Sequence, residues 1–174
     1  MRRSGSEARS AYDPQDLDEP LVPDDALAER ARRGSGAAFA TLVARYGDAV
    51  YTLARNMCAT SGEVEAVLQQ GFLAAWRDLR YFPAGARFAT WLYGITMRMA
   101  LTQRQRGRRS SCSLEPLREA LQCMDDQACA VFVLHDLLEL TVEEAAVILE
   151  TSPRAVRRDV DRSRLMLRGF LDQL

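Results

Sequence analysis

The sequence predicts an all-α protein: two small helical domains joined by a flexible linker, the second ending in a helix-turn-helix. Apolar residues recur at helical spacing through one segment after another, and no segment sustains the alternation of a β-strand. Thr141 to Arg168 then sets an acidic helix, a short turn and a strongly basic helix in succession.

Residues 1–22 are polar, charged and punctuated by Pro14 and Pro20, with Pro23 just beyond, and read as a disordered leader ending at residue 23. Asp24 or Asp25 is placed to cap a short helix running to Arg33, stopped by Gly34-Ser35-Gly36. From Ala38, the residues Phe39, Leu42, Val43, Tyr46, Val50, Leu53, Ala54 and Met57 trace one helical face. Thr60-Ser61-Gly62 breaks the chain, with Ser61 as the expected cap of a third helix faced by Val64, Val67, Leu68, Phe72, Ala75, Trp76 and Leu79. Pro83-Ala84-Gly85 interrupts again, and a fourth helix is expected from about Thr90 to Arg106. The first domain therefore spans 24–106, and Gly107 to Ser113, with no apolar period, forms the linker. The second domain, 114–174, opens with a short helix through Leu117, Leu121 and Met124 and a longer one from Ala128 to Leu138.

Its last two helices carry the clearest chemistry. Thr141 and Glu144 form a capping box, and Ser152-Pro153 supplies a second helix start. Val156, Val160, Ser163 and Leu167 make one stripe, leaving Arg154, Arg157, Arg158, Arg162 and Arg168 on other faces. A solvated charge face is the plain alternative, but there acids and bases normally mix for i,i+4 pairing. Here the signs are segregated: seven acids and no arginine from Asp125 to Glu150, then six arginines against Asp159 and Asp161 from Arg154 to Arg168. A cationic second helix on an apolar stripe suits the DNA major groove.

Tyr81, Phe82, Phe88, Trp91 and Tyr93 cluster beside Arg80, Arg87 and Arg98, with Gly85 keeping the loop compact. Rings interleaved with cations suit single-stranded DNA, since every base offers a stacking face and every nucleotide a phosphate. Phe72, Trp76 and Trp91 are expected mainly in the core, whereas Tyr81, Phe82 and Arg87 lie at the loop.

The chain has 174 residues, 48% of them apolar, and a net charge of −1 that conceals this local asymmetry. Cys58, Cys112, Cys123, Cys129 and the single His135 show no CxxC spacing, so neither metal nor cofactor is expected. One histidine, no glycine-rich phosphate loop and no carboxylate-metal cluster argue against an enzyme. Met1-Arg2-Arg3 precedes polar residues rather than an apolar run, and no stretch approaches membrane-spanning length. A cytoplasmic protein without direct membrane insertion is expected.

Taken in order, Ala38-Phe39 to Tyr46, Phe72-Leu73-Ala74-Ala75-Trp76 and Phe88-Ala89-Thr90-Trp91-Leu92-Tyr93-Gly94-Ile95 resemble the first conserved domain of the sigma-70 family. His135-Asp136-Leu137, Thr141-Val142-Glu143-Glu144-Ala145-Ala146 and Thr151-Ser152-Pro153-Arg154-Ala155-Val156 resemble its last. With no room for a middle domain, the chain resembles the extracytoplasmic-function (ECF) group of sigma factors. The resemblance implies core RNA polymerase and promoter DNA as partners, commonly with an anti-sigma factor that holds the protein inactive. It implies a polymerase-binding helix bearing Glu63, Glu65, Gln69, Gln70, Phe72 and Trp76. It implies capture of melted −10 DNA, with one flipped base, by Tyr81, Phe82, Gly85, Arg87, Trp91 and Arg98. It implies −35 recognition by Arg154, Arg157 and Arg158, with Ser152 and Arg162 beside them. Departures from the family pattern are Ala66 and Gln70 in place of acids, Arg98 and Thr102 in place of Asn and Asp, and Glu139 and Glu150 in place of glycines. Two other readings stay open: a sigma mimic that binds an anti-sigma partner, and an ordinary helix-turn-helix regulator, which the aromatic loop disfavours.

Overall fold

The computed structural model describes residues 22–83, 85–107 and 116–172, so most of the leader and of the linker, Cys112 included, lie outside the described residues, while Gly107, read as the start of the linker, is the last residue of a helix. The described chain is helical throughout: α1 (Asp24–Arg32), α2 (Gly36–Met57), α3 (Ser61–Asp78), α4 (Phe88–Gly107), α5 (Pro116–Cys123), α6 (Asp126–Phe132), α7 (Val142–Ile148) and α8 (Pro153–Leu171). A 3-10 turn, Leu79–Tyr81, extends α3, and a π-helical segment, Val133–Leu137, extends α6. None of the described helices is long and apolar enough to cross a membrane.

Local chemistry sets most boundaries, with informative exceptions. Neither Asp24 nor Asp25 caps α1; Pro23 holds the cap position without a side-chain bond. Asp24 instead turns back onto α2, accepting from Arg45 and the Tyr46 hydroxyl. That doubly engaged carboxylate ties α1 to α2. Gly34, at φ +100°, ends α1, since its N–H bonds Ala31 O at 2.9 Å while Ser35 N–H reaches Arg30 O at 3.1 Å. The Ser35 hydroxyl then accepts from Ala38 N–H, so α2 begins immediately, at Gly36. Thr60, not Ser61, caps α3: its hydroxyl accepts from Glu63 N–H while the Glu63 carboxylate accepts from Thr60 and Ala59 N–H. Only a residue three before the glutamate closes that box, which excludes Ser61. α4 starts at Phe88 rather than Thr90, because Phe88 is buried in the ring cluster. The helix expected to run from Ala128 begins at Asp126, capped by Asp125, and changes to π geometry after Phe132. The lone histidine secures the turn that follows, with His135 Nδ1 2.7 Å from Leu140 O across Glu139 at φ +54°.

The core is continuous. Leu42, Val50, Leu53, Met57, Val67, Leu92, Met97 and Ala100 from the first four helices join Leu121, Met124, Cys129, Leu134, Ala146 and Val156 from the second half of the chain. Burying side chains of this size removes the solvation penalty of their apolar area, about 1.5–3 kcal/mol each. Tight approach of α3 to α4 rests on Gly71, where an added Cβ would stand 2.5 Å from Thr96 Cγ2. The buried stripe of α3 therefore runs Val64, Val67, Gly71, Ala74, Ala75. Phe72 is rotated to its edge, and Trp76, expected in the core, is 39% exposed and packs on Phe39 at 4.9 Å between centroids.

Candidate nucleic-acid interface

The helix-turn-helix is closed by backbone geometry at Glu150. α7 ends with Glu150 N–H on Val147 O at 3.3 Å and Thr151 N–H on Ala146 O at 3.0 Å. That double closure requires a left-handed residue, and Glu150 supplies it at φ +52°. The Ser152 hydroxyl then accepts from Ala155 N–H and Pro153 occupies the first helical position, as the residue pattern predicted. Val156, Val160, Ser163 and Leu167 are all buried, so α8 presents its arginines outward.

Those arginines are not equivalent. Arg154 is exposed, and Arg158 is 75% exposed with Nε 3.3 Å from Asp159 Oδ1. Arg157, 67% exposed, lies 3.2 Å from Glu143 across the turn. Arg162 and Arg164 are drawn back onto the α6 region, pairing with Asp125 at 3.0 Å and with Asp136, whose Oδ1 accepts from Arg164 Nε at 2.9 Å. Arg162 remains 59% exposed, so this pair is a surface contact that adds little to the seating of α8.

The aromatic loop separates its residues by burial. Phe82, Phe88 and Trp91 form one ring cluster with centroids 5.3–5.8 Å apart, Phe82 meeting the other two edge to face, and Tyr46 extends it toward Tyr93. Phe88 and Tyr93 are buried, Phe82 and Trp91 half-buried. Tyr81 alone of the five is exposed, with the Arg80 guanidinium 4.7 Å above its ring. Gly85, at φ +77°, turns the loop and shares with Phe82 a cavity of about 180 Å³ walled by Asp25, Ala28, Glu29 and Arg32 of α1. Arg87, Trp91 and Arg98 meet along a larger groove of about 410 Å³, whose opposite wall is α7 and its turn. There Arg87 bonds Glu144, and Arg98 Nη1 lies 3.5 Å from Glu150. Two of the departures from the family pattern, Arg98 and Glu150, therefore face each other. Burial works against the Glu144 charge, but donation from the Thr141 N–H and hydroxyl, with Arg87 nearby, holds its carboxyl below the usual carboxylate range.

On α3, Glu65, Gln69 and Gln70 are exposed, Phe72 is half-buried and Trp76 is open, whereas Glu63 is committed to its capping box. Leu73, 66% exposed beside Trp76, belongs to the same face and was missed. Its signal was available: it falls off the buried stripe of an otherwise regular helix. Among the described residues no three His, Cys, Asp or Glu side chains gather in a way that could hold a metal.

A helix-turn-helix with an outward cationic helix, set beside a separate loop of aromatic rings and arginines, defines an all-α DNA-binding protein. Residues 42–110 match the family model for sigma-70 region 2, and residues 114–167 that for sigma-70 region 4. The chain belongs to the ECF group of the sigma-70 family and is a sigma factor directing promoter-specific transcription initiation. It is 27% identical to RNA polymerase sigma factor NccH of Alcaligenes xylosoxydans xylosoxydans, over 89% of this chain and 97% of that protein. It is 38% identical to the ECF RNA polymerase sigma-E factor of Escherichia coli (strain K12), over 45% of this chain and 41% of that one. Among solved structures, CnrH in complex with the cytosolic domain of CnrY superposes with a TM-score of 0.74 at 30% identity, covering 86% of this chain and 97% of that one. The sigma factor RpoE of Bartonella quintana, solved with the anti-sigma factor NepR, shares the fold at a TM-score of 0.69 and 20% identity, covering 77% and 96%.

Proposed function

We propose a division of labour in which residues 24–106 bind core RNA polymerase and the melted −10 strand, and residues 114–174 bind the −35 duplex. The segregation of exposed chemistry carries this reading. The loop and α4 set Tyr81, Phe82 and Trp91 beside Arg80, Arg87 and Arg98, while α8 offers outward arginines and no exposed aromatic residue. Arg154, Arg157 and Arg158 stand in the first turns of α8, and a guanidinium fork reads guanine bidentately or clamps phosphate. Tyr81 is 67% exposed, with Arg80 over its ring, and offers an exposed ring and a cation together for stacking. The cavity beside Phe82 and Gly85 is where a flipped base would lodge, with Arg87, Trp91 and Arg98 tracking the strand. Trp76 with Leu73 forms the apolar centre of the polymerase-facing surface, rimmed by Glu65, Gln69 and Gln70.

We further propose that the protein acts in the cytoplasm, catalyses no reaction itself, and is held in check by an anti-sigma factor. The complexes of CnrH with CnrY and of the Bartonella sigma factor with NepR support that control. Run-off transcription with purified core polymerase over the host's promoters tests the whole: transcripts above core alone are expected, and their absence would refute it.

A further inference from the structure

We propose that the last four helices act as an intramolecular competitor of DNA, clasped onto the first four by Arg104 so that Glu144 and Glu150 occupy Arg87 and Arg98. This rests on the reading above that those two arginines face the melted strand. The clasp is interior in character. Arg104, on α4, has a side chain only 1% exposed. Its Nη2 donates to Leu121 O and Met124 O, both at 2.8 Å, and its Nε donates to Asp126 Oδ1 at 2.9 Å. The fork thus satisfies carbonyls at the end of α5 and a carboxylate at the start of α6 from across the interface. Arg118 reciprocates, its Nη2 donating to Cys58 O and Ala59 O at 3.2 Å each, and Cys129 Sγ packs 3.7 Å from Met57 Sδ.

Magnitudes separate two roles. Arg98 and Glu150 pair at an open rim with both side chains more than 60% exposed, and Arg87 is 70% exposed although its partner Glu144 is only 16% exposed. Such pairs contribute little to docking, whereas a buried arginine whose partners would be stranded contributes much. So the rim does not hold the halves together. Its effect is on charge: two carboxylates neutralise the cations flanking Trp91 and present a negative edge to any phosphate entering the groove. Releasing the clasp frees both arginines at once.

The test uses the full chain, read by small-angle X-ray scattering and by anisotropy of a fluorescein-labelled pool of random-sequence single-stranded DNA. Arg104→Ala should enlarge the radius of gyration and tighten DNA binding, with helicity retained by circular dichroism. Should it unfold the end of α5, Arg118→Ala removes cross-interface bonds without exposing those carbonyls, and should expand the particle too. Glu144→Gln with Glu150→Gln should leave the particle compact yet bind DNA roughly three- to tenfold more tightly, the range that exposed ion pairs represent. Glu119→Gln with Glu139→Gln, which removes the same charge from exposed positions, should not. Folded Arg104 and Arg118 variants that scatter like wild type would overturn the clasp. An effect of the Glu144/Glu150 pair no larger than that of the control pair would overturn the competition. If the opened particle binds DNA equally with and without Arg87→Ala and Arg98→Ala, the proposal falls through the contact assignment, with the clasp intact.

Discussion

Gly71 is the position at which one methyl group should reverse its effect according to its neighbour. A Cβ there would meet Thr96 Cγ2 at 2.5 Å, about 1 Å or more inside the ~3.5–4.0 Å at which carbons attract. Thr96 is fully buried and its hydroxyl donates to Leu92 O at 3.0 Å, so the methyl cannot swing aside without losing that bond. Overpacking of this kind costs about 1–3 kcal/mol, while alanine in place of glycine within a helix returns about 1 kcal/mol. Gly71→Ala should therefore destabilise the chain by roughly 0–2 kcal/mol. In a Thr96→Ser background the obstructing methyl is gone, and the same substitution should stabilise by up to about 1 kcal/mol. Urea denaturation of the four proteins of this cycle, followed by circular dichroism, gives the coupling directly. Equal shifts in both backgrounds, or a gain in stability from Gly71→Ala alone, would refute the close packing of α3 on α4. The packing also sets the spacing between the Leu73–Trp76 face and the groove that Arg98 lines.

Arg157→Ala and Arg158→Ala should each weaken discrimination between matched and scrambled −35 duplexes by about 1–3 kcal/mol in filter-binding or anisotropy titrations; unchanged discrimination in both would remove them from base reading. Tyr81→Ala should slow opening of duplex promoters by holoenzyme, through loss of one stacked base worth about 1–3 kcal/mol, while leaving −35 binding intact. Phe82→Ala should lower the melting temperature as well, because that ring is part of the Phe88–Trp91 cluster; an unchanged melting temperature would argue against that packing. Burial and the nearby Glu63 charge push the Cys58 thiol up to about 12, so Cys58 stays protonated at neutral pH. Iodoacetamide at pH 8 should label exposed Cys123 quickly and spare the buried Cys58 and Cys129 until the chain is denatured; mass spectrometry showing early labelling of Cys58 would contradict its burial.

Much of this molecule is decided by interactions a few residues long, and those are legible in the chain. The Thr141–Glu144 box, the Ser152-Pro153 start and the buried stripe Val156, Val160, Ser163, Leu167 each depend on spacing alone, and each stands in the structure as spacing predicts. The family likewise follows from ordered motifs. Competition between neighbours within one turn is harder to read: Thr60 displaces Ser61 because only Thr60 lies three residues before Glu63. What the tertiary structure alone decided concerns partners far apart in the chain. Asp24 leaves the cap of α1 for Arg45 and Tyr46, Trp76 turns outward because Gly71 draws α3 onto α4, and Arg162 pairs with Asp125. Arg104 and Arg106 look alike in sequence, yet Arg104 is buried against the end of α5 while Arg106 is exposed. Local periodicity specifies which face of a helix is apolar. It carries no information about which distant carbonyl or carboxylate a given charge will meet, because that depends on how the helices are stacked.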